Sequence, residues 1–159
     1  MKIRVGFGYD VHQIKAGEEL VLGGIRIVHE KGTVGHSDGD VLIHAICDAL
    51  FGAANMRDIG FHFPDNDKSL KGIDSKILLK KTVEIIGSKG YKISNIDTTL
   101  SLQKPKISPH VEKMRTVLAQ VMDIDIDDIS IKATTTEHLG FEGREEGISA
   151  YATVLITKD

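Results

Sequence analysis

The sequence predicts an α+β fold with a mixed, mostly four-stranded sheet, helices packed on one face of the sheet and a small hairpin. Segments of alternating apolar and polar residues are interspersed with segments of helical periodicity. Strands that first alternate with helices and then pair directly favour a mixed sheet with helices on one side. The 159 residues, 41% of them hydrophobic, suffice for one core without disulfide or metal staples, so we expect residues 1–159 to form one domain.

Composition argues against two classes of partner. The formal net charge is −3 and the Lys and Arg residues are scattered, which disfavours a surface for nucleic acid or for an anionic membrane.

The sequence also indicates the cellular compartment. Glycines and Asp10 interrupt any apolar signal-peptide core near the start, and no apolar run approaches membrane-spanning length. The lone Cys47 cannot form an intramolecular disulfide and is expected in the core. We therefore expect a protein of the reducing cytoplasm.

The first predicted strand carries a pair of residue types that bind metals. Ile3, Val5 and Phe7 alternate with polar or small residues, which predicts that these three form the buried face of the strand. The same alternation places the side chains of Asp10 and His12 on one side of the strand, so that both could bind the same metal ion. Such pairs also arise by chance, so the pair alone does not define a site.

A predicted helix within residues 36–50 crowds histidines and aspartates into one short run. We expect the helix to begin just after His36, with Ser37 or Asp38 as its N-cap. The buried stripe comprises Leu42, Ile43, Ile46, Ala49 and Leu50, and the polar stripe comprises Asp40, His44 and Asp48. The polar stripe is either a solvated face or a functional one, and the spacing leaves both interpretations open.

The rest of the chain predicts a hairpin, a loop, two helices and three strands. The hairpin spans residues 20–27 and turns at Gly23-Gly24, because adjacent glycines accept the positive φ angles of tight turns. The acidic, turn-rich residues 57–67 predict a loop. The helices are predicted over 75–86, capped by Asp74 or Ser75, and over 109–121, capped by Ser108 and started by Pro109. The strands are predicted over 96–102, 129–133 and 148–157. The last strand is apolar or small on both faces, so we expect its second face to be buried against other subunits.

Asp10, His12 and His44 are the strongest candidates for metal ligands. Nitrogen and oxygen ligands without a thiolate fit zinc or another borderline divalent ion. Three protein ligands leave the open position that is typical of a catalytic zinc. The alternative is that His44 is a half-buried histidine with ordinary hydrogen-bond partners, and the spacing supports both interpretations equally.

Candidate phosphate contacts occur later in the chain. They are the hydroxyls and amides of residues 134–136, together with Lys104, Lys106 and Arg144. Each has an alternative role as a strand-end hydroxyl or a surface cation. A metal with an open position, combined with phosphate donors, points towards phosphoryl chemistry.

Five motifs follow one another along nearly the whole chain. They are GYDVH at 8–12, HSDGDVLIHAICDALFGAA at 36–54, DIGFHFPDND at 58–67, QKPK at 103–106 and KATTTEHLGFEGREEGI at 132–148. In this order they resemble the family of 2-C-methyl-D-erythritol 2,4-cyclodiphosphate synthases, enzymes of the non-mevalonate isoprenoid pathway. The combination is far more specific than any one motif.

The resemblance implies a zinc-dependent, cyclising phosphorus-oxygen lyase. In the implied reaction, the 2-phosphate of 4-diphosphocytidyl-2-C-methyl-D-erythritol 2-phosphate attacks the β-phosphorus, which closes 2-C-methyl-D-erythritol 2,4-cyclodiphosphate and expels CMP. The resemblance also implies a homotrimer, with the sheets around a threefold axis and the active sites between subunits. It implies a bacterial cytoplasmic protein, or a protein of a plastid-type organelle if the source is eukaryotic.

The resemblance assigns roles to individual residues. The implied zinc ligands are Asp10, His12 and His44, and the implied ligand of a second ion, magnesium or manganese, is Glu137. The residues implied to stabilise the transition state are His36 and Thr135. The implied substrate contacts are Asp10, His12, Ser37, Asp58, Ile59, Gly60, Phe63, Pro64, Asp65, Asp67, Thr136, Glu137, Phe141 and Arg144, and the implied cytosine pocket comprises Leu102, Gln103, Lys104, Pro105, Lys106, Ile107, Ala133 and Thr134. Arg144 is also a candidate to face an anion, such as an isoprenoid diphosphate, in the central cavity of the trimer.

This chain departs from the family pattern at a few positions. Arg57 stands where a small residue, often glycine, is expected before Asp-Ile-Gly, and His138 and Glu142 alter the usual turn. Glu145 is expected to pair with its neighbour Arg144 and to weaken any central anion site.

Two other functions compete with the synthase. A metal-dependent phosphohydrolase would also use an Asp/His metal site, but it would need a positioned water and usually a second metal nearby. A trimeric binding module stabilised by zinc would need a fourth protein ligand, and the sequence nominates none.

Overall fold

The computed structural model describes every residue from Met1 to Asp159. The strands are β1 (Lys2–Ala16), β2 (Leu20–Leu22), β3 (Ile25–Ile27), β4 (Lys31–Thr33), β5 (Lys92–Ser101), β6 (Ile129–Thr134) and β7 (Gly147–Lys158). The helices are α1 (Val41–Ala53), α2 (Ile59–His62), α3 (Ser75–Ser88), α4 (Val111–Met122) and α5 (Gly140–Gly143), and 3₁₀ turns occur at Lys68–Leu70, Ser108–His110 and Ile126–Asp128. The α+β class is therefore confirmed.

The main sheet is mixed and has the strand order β4-β1-β7-β5-β6. Only the β5–β6 pair is parallel, and every other pair in this sheet is antiparallel. The expectation of a mostly four-stranded sheet misses β4, which pairs with the end of β1 where Ile14 lies opposite Thr33. This strand has only three residues, Lys-Gly-Thr, too few to show an alternating pattern.

Helix α1 packs against β1 and β7 at the centre of the core. The predicted buried stripe is confirmed, because Leu42, Ile43, Ile46, Ala49 and Leu50 are each fully buried. Cys47 is also fully buried, and this burial raises the pKa of its thiol to about 12, as expected of a core residue. None of the helices has the length and apolar composition needed to cross a membrane.

The predicted buried face of β1 is wrong. Gly6 and Gly8 face the core, because a β-carbon at either position would collide with a backbone carbonyl oxygen of α1. The chain packs the helix directly on the strand backbone there, and only glycine allows so close an approach. The apolar Ile3, Val5 and Phe7 consequently lie on the opposite face, where 55%, 66% and 63% of each residue is exposed.

That opposite face of the sheet is uncovered in the single chain. Along β7, alternate residues from Ala150 to Ile156 are buried, whereas Tyr151 and Thr153 are exposed. The Tyr151 ring lies 5.2 Å from the ring of Tyr9, measured between centroids, so the exposed aromatic side chains form one continuous patch. Helices thus cover only one face of the sheet, as the sequence predicts.

Helix α1 begins later than predicted, at Val41 rather than just after His36. The backbone of Gly39 has a φ of 74°, which interrupts any helix before that point. The N-cap is Asp40, whose Oδ1 accepts a hydrogen bond from the Ile43 amide at 3.1 Å. Ser37 and Asp38 do not cap this helix.

Asp40 also anchors the hairpin of β2 and β3. The turn lies at Gly23 and Gly24, as predicted, and both glycines have positive φ angles, 59° and 76°. Their amides donate to the two carboxylate oxygens of Asp40, at 3.0 and 2.7 Å. Burial of this carboxylate raises its pKa to about 6. One buried side chain therefore starts α1 and holds the hairpin against it.

Two other local predictions need correction. Residues 57–67 contain a short helix, α2, because the Asp58 carboxylate accepts from the Phe61 amide at 3.2 Å and caps it. Ser108 makes no capping bond, since a 3₁₀ turn at Ser108–His110 leads directly into α4. The cap of α3 is confirmed as Asp74, which accepts from the Lys76 amide at 2.9 Å.

We expect Gly8→Ala to lower the free energy of unfolding by about 3 kcal/mol, because the new methyl group must push α1 away from β1. Chemical denaturation measures this loss. The matched control is Gly52→Ala within α1, where nothing lies in the path of a β-carbon. Alanine there should raise the unfolding free energy by up to about 1 kcal/mol, because it is the better helix former. Equal stabilities of the two variants would contradict the close packing of α1 on β1.

Candidate functional site

The structure brings Asp10, His12 and His44 together where β1 meets the first turns of α1. Asp10 and His12 follow Gly8 on the core-facing side of β1, and His44 lies one turn after the N-cap. Asp10 Oδ2 is 2.9 Å from His12 Nε2 and 3.1 Å from His44 Nδ1, and the two nitrogens are 3.1 Å apart. The three ligand atoms all lie within 4.8 Å of one another. This Asp-His-His cluster is a candidate metal centre.

Hydrogen bonds at the far side of each ring orient the two histidines. The carbonyl oxygen of Val34 lies 2.9 Å from His12 Nδ1, so Nδ1 carries a hydrogen, and in the neutral ring Nε2 turns its lone pair to the cluster. On His44, the Nε2 atom lies 3.0 Å from the hydroxyls of Ser37 and of Ser75. Ser75 has no signal in the sequence as a site residue, because its contact with His44 joins residues 31 positions apart and no local pattern indicates it.

The charges within the cluster shift the pKa values of its members when no metal is bound. Burial alone would raise the pKa of Asp10, but hydrogen bonds and positive charge from His12 and His44 outweigh it and hold the pKa at about 2. For His12, burial lowers the pKa, whereas hydrogen bonds to Asp10 and Val34 raise it by more, so the net shift is upward. Asp10 is therefore a carboxylate at neutral pH, the form in which it can bind a metal.

A cavity of about 360 Å³ opens beside the cluster. Its lining includes Asp10, His12, His36, Ser37, His44, Ile59, Gly60, Phe63 and Asp65, all of them predicted site residues. Three others predicted for this region do not line it, namely Asp58, Pro64 and Asp67. Asp58 and Asp67 instead cap α2 and the next 3₁₀ turn, and the carbonyl of Asp67 accepts from His36 Nε2 at 3.2 Å.

Helix α2 forms one wall of this cavity. It is held in place by side chains that the sequence did not predict for this region. Asp48 in α1 accepts from the Ile59 amide at 3.0 Å. The ring of His62 stacks on Phe51, with the centroids 3.9 Å apart, and its Nε2 donates to the Met56 carbonyl at 2.8 Å. Helix α2 is therefore tied to α1, the same helix that carries His44.

Arg57, the departure noted before Asp-Ile-Gly, occupies a backbone conformation that favours glycine. Its φ is 68°, and its guanidinium carbon lies 4.1 Å from the centre of the Phe61 ring. The contact with Phe61 offsets part of the cost of this conformation. It also places a positive charge beside α2.

A second cavity, of about 540 Å³, lies at the carboxyl ends of the parallel strands β5 and β6. Its lining contains every residue predicted for the cytosine pocket: Leu102, Gln103, Lys104, Pro105, Lys106, Ile107, Ala133 and Thr134. Thr135 lines this cavity too and not the one beside the metal cluster. The two cavities share no lining residue, so one chain presents the metal cluster and the Thr135 region as separate surfaces.

The turn after β6 holds the remaining predicted residues. Glu137 has a φ of 53°, and its carboxylate lies 3.4 Å from the Thr135 hydroxyl. Thr136 donates to the Leu139 carbonyl at 2.6 Å. Phe141 packs against Gly147 and lines neither cavity.

The expected pair between Arg144 and Glu145 is wrong. Arg144 binds both carboxylate oxygens of Glu146, at 3.0 and 3.2 Å. Glu145 has a φ of 57°, and its carboxylate lies 3.4 Å from the ammonium of Lys104. Of the two residues noted in the turn, His138 has a φ of 64°, and Glu142 accepts from the Ser149 hydroxyl at 2.8 Å.

Comparison with known families accounts for this combination of fold and cluster. The model of the YgbB family matches residues 3–157. The chain belongs to the YgbB family. The match covers both cavities and the Asp-His-His cluster, so no part of the candidate site lies outside the family region.

Relatives of this YgbB-family chain carry consistent names. The 2-C-methyl-D-erythritol 2,4-cyclodiphosphate synthase of Bacteroides fragilis is 70% identical over 158 residues, which are 99% of each chain. The bifunctional IspDF of Campylobacter jejuni superposes with a TM-score of 0.96 at 39% identity, over 99% of this chain and 43% of that one. The IspF of Plasmodium falciparum, solved as a CDP complex, superposes with a TM-score of 0.87 at 36% identity, over 99% of this chain and 97% of that one. These matches confirm the resemblance inferred from the five motifs.

If the cluster of this YgbB-family chain holds a divalent metal, with zinc as the probe, we expect His44→Ala to abolish its stoichiometric binding, because two ligands would remain of the three. Equilibrium dialysis followed by metal analysis measures the bound zinc. The matched control is His110→Ala, which removes a histidine from the 3₁₀ turn before α4, outside the cluster. Full zinc occupancy in His44→Ala would show that the ligand set is assigned wrongly.

Proposed function

We propose that this chain is a 2-C-methyl-D-erythritol 2,4-cyclodiphosphate synthase of the non-mevalonate isoprenoid pathway. It converts 4-diphosphocytidyl-2-C-methyl-D-erythritol 2-phosphate to 2-C-methyl-D-erythritol 2,4-cyclodiphosphate and CMP. The observation that carries the proposal is the Asp-His-His cluster in a chain 70% identical, over 99% of its length, to a relative of that name. The relative from Bacteroides fragilis is a bacterial biosynthetic enzyme, which supports a cytoplasmic location.

The reaction requires positioning rather than a protein nucleophile. An oxygen of the 2-phosphate forms a bond to the β-phosphorus, and the bond from that phosphorus to the bridging oxygen breaks, so CMP leaves with the electron pair. Both reacting groups belong to one substrate and are anionic. The chain must therefore hold them in line and offset their negative charge.

The cluster fits zinc by its donor atoms. Its two imidazole nitrogens and one carboxylate oxygen face one another, and no thiolate is present. Zinc held by Asp10, His12 and His44 would polarise a phosphate oxygen and offset its charge. Glu137 offers one exposed carboxylate, which suits magnesium or manganese, since magnesium commonly binds one or two carboxylates together with substrate phosphates.

The chain's own residues complete the phosphate and sugar sites. His36 and Ser37 line the cavity beside the cluster, where an imidazole and a hydroxyl can donate to phosphate oxygens. Asp58 does not line this cavity, but it caps α2 with Oδ1 only, so Oδ2 could accept from a methylerythritol hydroxyl that extends beyond the cavity. Phe63 and Asp65 border the same cavity and would shield the sugar alcohol from water.

The cavity at the ends of β5 and β6 is suited to the cytidine group. Ligands of parallel strand pairs bind beyond their carboxyl ends, and this cavity is framed by backbone from Leu102 to Ile107 and by Ala133 and Thr134. Backbone amides and carbonyls can bind the polar edge of cytosine. The related Plasmodium falciparum protein has been solved as a CDP complex, which supports the same class of ligand.

A homotrimer would join the two cavities. Thr135 and the cytidine cavity are separate from the metal cluster in one chain, so a neighbour is needed to bring a second surface to the substrate. The exposed apolar stripe of β1, from Ile3 to Val11, offers the contact face. At the centre of such a trimer, an isoprenoid diphosphate would have to compete with Glu146 for Arg144.

Incubation of the protein with the cytidyl substrate, zinc and magnesium should release CMP and yield a cyclic diphosphate. Phosphorus NMR identifies this product. Linear phosphate products would instead identify a phosphohydrolase, and binding without turnover would identify a zinc-stabilised binding module.

In the same assay, Thr135→Ala should lower kcat by about 10²- to 10³-fold, as is usual when one hydrogen-bond donor to the transition state is removed. The matched control is Thr116→Ala, because that hydroxyl bonds only within α4. A normal kcat in Thr135→Ala would remove this residue from the catalytic set.

We expect Val5→Asp to convert the trimer to monomers, because it places a charge in the apolar stripe while 66% of Val5 is exposed in the single chain. Light scattering coupled to size-exclusion chromatography measures the mass. The control is Ile77→Asp on α3, an apolar residue 47% exposed on the helical side. If Val5→Asp remained trimeric, a different face would form the interface.

A further inference from the structure

Ser75, the first residue of α3, connects Asp38 to the metal cluster. It is fully buried. Its hydroxyl donates to Asp38 Oδ1 and lies 3.0 Å from His44 Nε2. His44 Nδ1, on the other side of the same ring, faces Asp10. The three side chains of Asp38, Ser75 and His44 therefore form a continuous path that ends at the cluster.

The direction of the hydrogen bonds along this path follows from the donors around Asp38. Its Oδ1 accepts from the Asp40 amide at 3.1 Å, and its Oδ2 accepts from the Ser75 amide at 2.9 Å. Both oxygens act as acceptors, so the single hydrogen of the Ser75 hydroxyl points to Asp38. The Ser75 oxygen can then act only as an acceptor, from His44 Nε2 at 3.0 Å and from the Ser37 hydroxyl at 3.4 Å. The shorter of these two bonds requires the hydrogen of His44 on Nε2.

We propose that Asp38 and Ser75 are positioning residues that hold His44 in the tautomer with a free Nδ1 lone pair aimed at the metal. The proposal rests on the metal site of the proposed function. It gives Asp38 a role other than the helix cap expected from the sequence. The Ser37 hydroxyl also lies 3.0 Å from Nε2, but no carboxylate fixes the direction of its hydrogen, so Ser37 alone would leave both tautomers open.

The first test measures zinc affinity with no substrate present. Competition with a chromophoric chelator should show that Ser75→Ala binds zinc about 10- to 100-fold more weakly, as is usual when the hydrogen-bond partner of a ligating histidine is removed. Asp38→Asn should also weaken binding, because an amide can donate to Ser75 and release the direction of its hydrogen. The double variant should bind no more weakly than Ser75→Ala, since Asp38 acts through Ser75.

The matched control alters the start of the same helix without touching His44. Asp74→Ala removes the cap of α3, which accepts from the Lys76 amide. It should lower the melting temperature and leave zinc affinity unchanged. An equal loss of zinc affinity in Asp74→Ala would show that Ser75 acts only through the stability of α3, which would overturn the proposal.

The second test observes the tautomer directly in the unaltered, metal-free protein. Nitrogen NMR of histidine-labelled protein, recorded where the His44 ring is neutral, should place its hydrogen on Nε2, and in Asp38→Asn a mixture of tautomers should appear. Hydrogen on Nδ1 in the unaltered protein would overturn the proposal even if Ser75→Ala failed to fold. If the unaltered protein binds zinc and both variants bind it equally well, only the positioning role fails. If the unaltered protein binds no zinc, the metal site fails together with this role.

Discussion

The close approach of α1 to β1 through Gly6 and Gly8 is the constraint on which the rest of the structure depends. At these positions the helix backbone occupies the space that a side chain would fill. Asp10 and His12 come next on the same side of the strand, just beyond the glycines. Because the helix already lies against the strand backbone, short side chains on β1 reach His44 without a long connection. The metal cluster is thus a direct result of backbone packing.

Asp40 extends this constraint to the surrounding segments. By starting α1 at Val41 and binding the hairpin turn, it leaves the residues just before the helix in a fixed, non-helical path. That path puts Asp38 against the start of α3 and puts His36 and Ser37 at the mouth of the cavity. The buried carboxylate of Asp40 and the half-buried carboxylate of Asp38 therefore order residues that would otherwise be a free loop.

The sequence was sufficient for several features that depend on local pattern. The Asp-x-His pair, the apolar stripe of α1 and the Gly23-Gly24 turn follow from periodicities of two and of about 3.6 residues and from glycine conformation. The N-caps of α1 and α2 were missed although their hydrogen bonds are local, because several nearby aspartates could act as caps. The buried face of β1 was predicted wrongly because it depends on distant neighbours. The apolar residues Ile3, Val5 and Phe7 have a clear strand pattern, but which face is buried is decided by α1, more than thirty residues later.

The same limit applies to the candidate site. The cavity at residues 102–107 was predictable only through the family motifs, because backbone groups leave no pattern of their own. Ser75 and Asp48 look like an ordinary helix start and a solvated aspartate until the fold places them beside His44 and Ile59. Two of the departures, Arg57 and His138, and also Glu145, have a positive φ, which cannot be read from residue types that seldom adopt it.

The uncovered face of β1 and β7 has a consequence for how the chain behaves in a cell. Five large apolar side chains in a row on one strand, Ile3, Val5, Phe7, Tyr9 and Val11, make a surface that attracts any similar surface while the chain is newly made. Assembly that covers this face couples folding to association, so stability then rises with the concentration of chains by mass action. In the proposed trimer, the abundance of this protein would be part of what keeps it folded, and a poorly expressed chain would be more exposed to proteolysis than a single-chain stability would indicate.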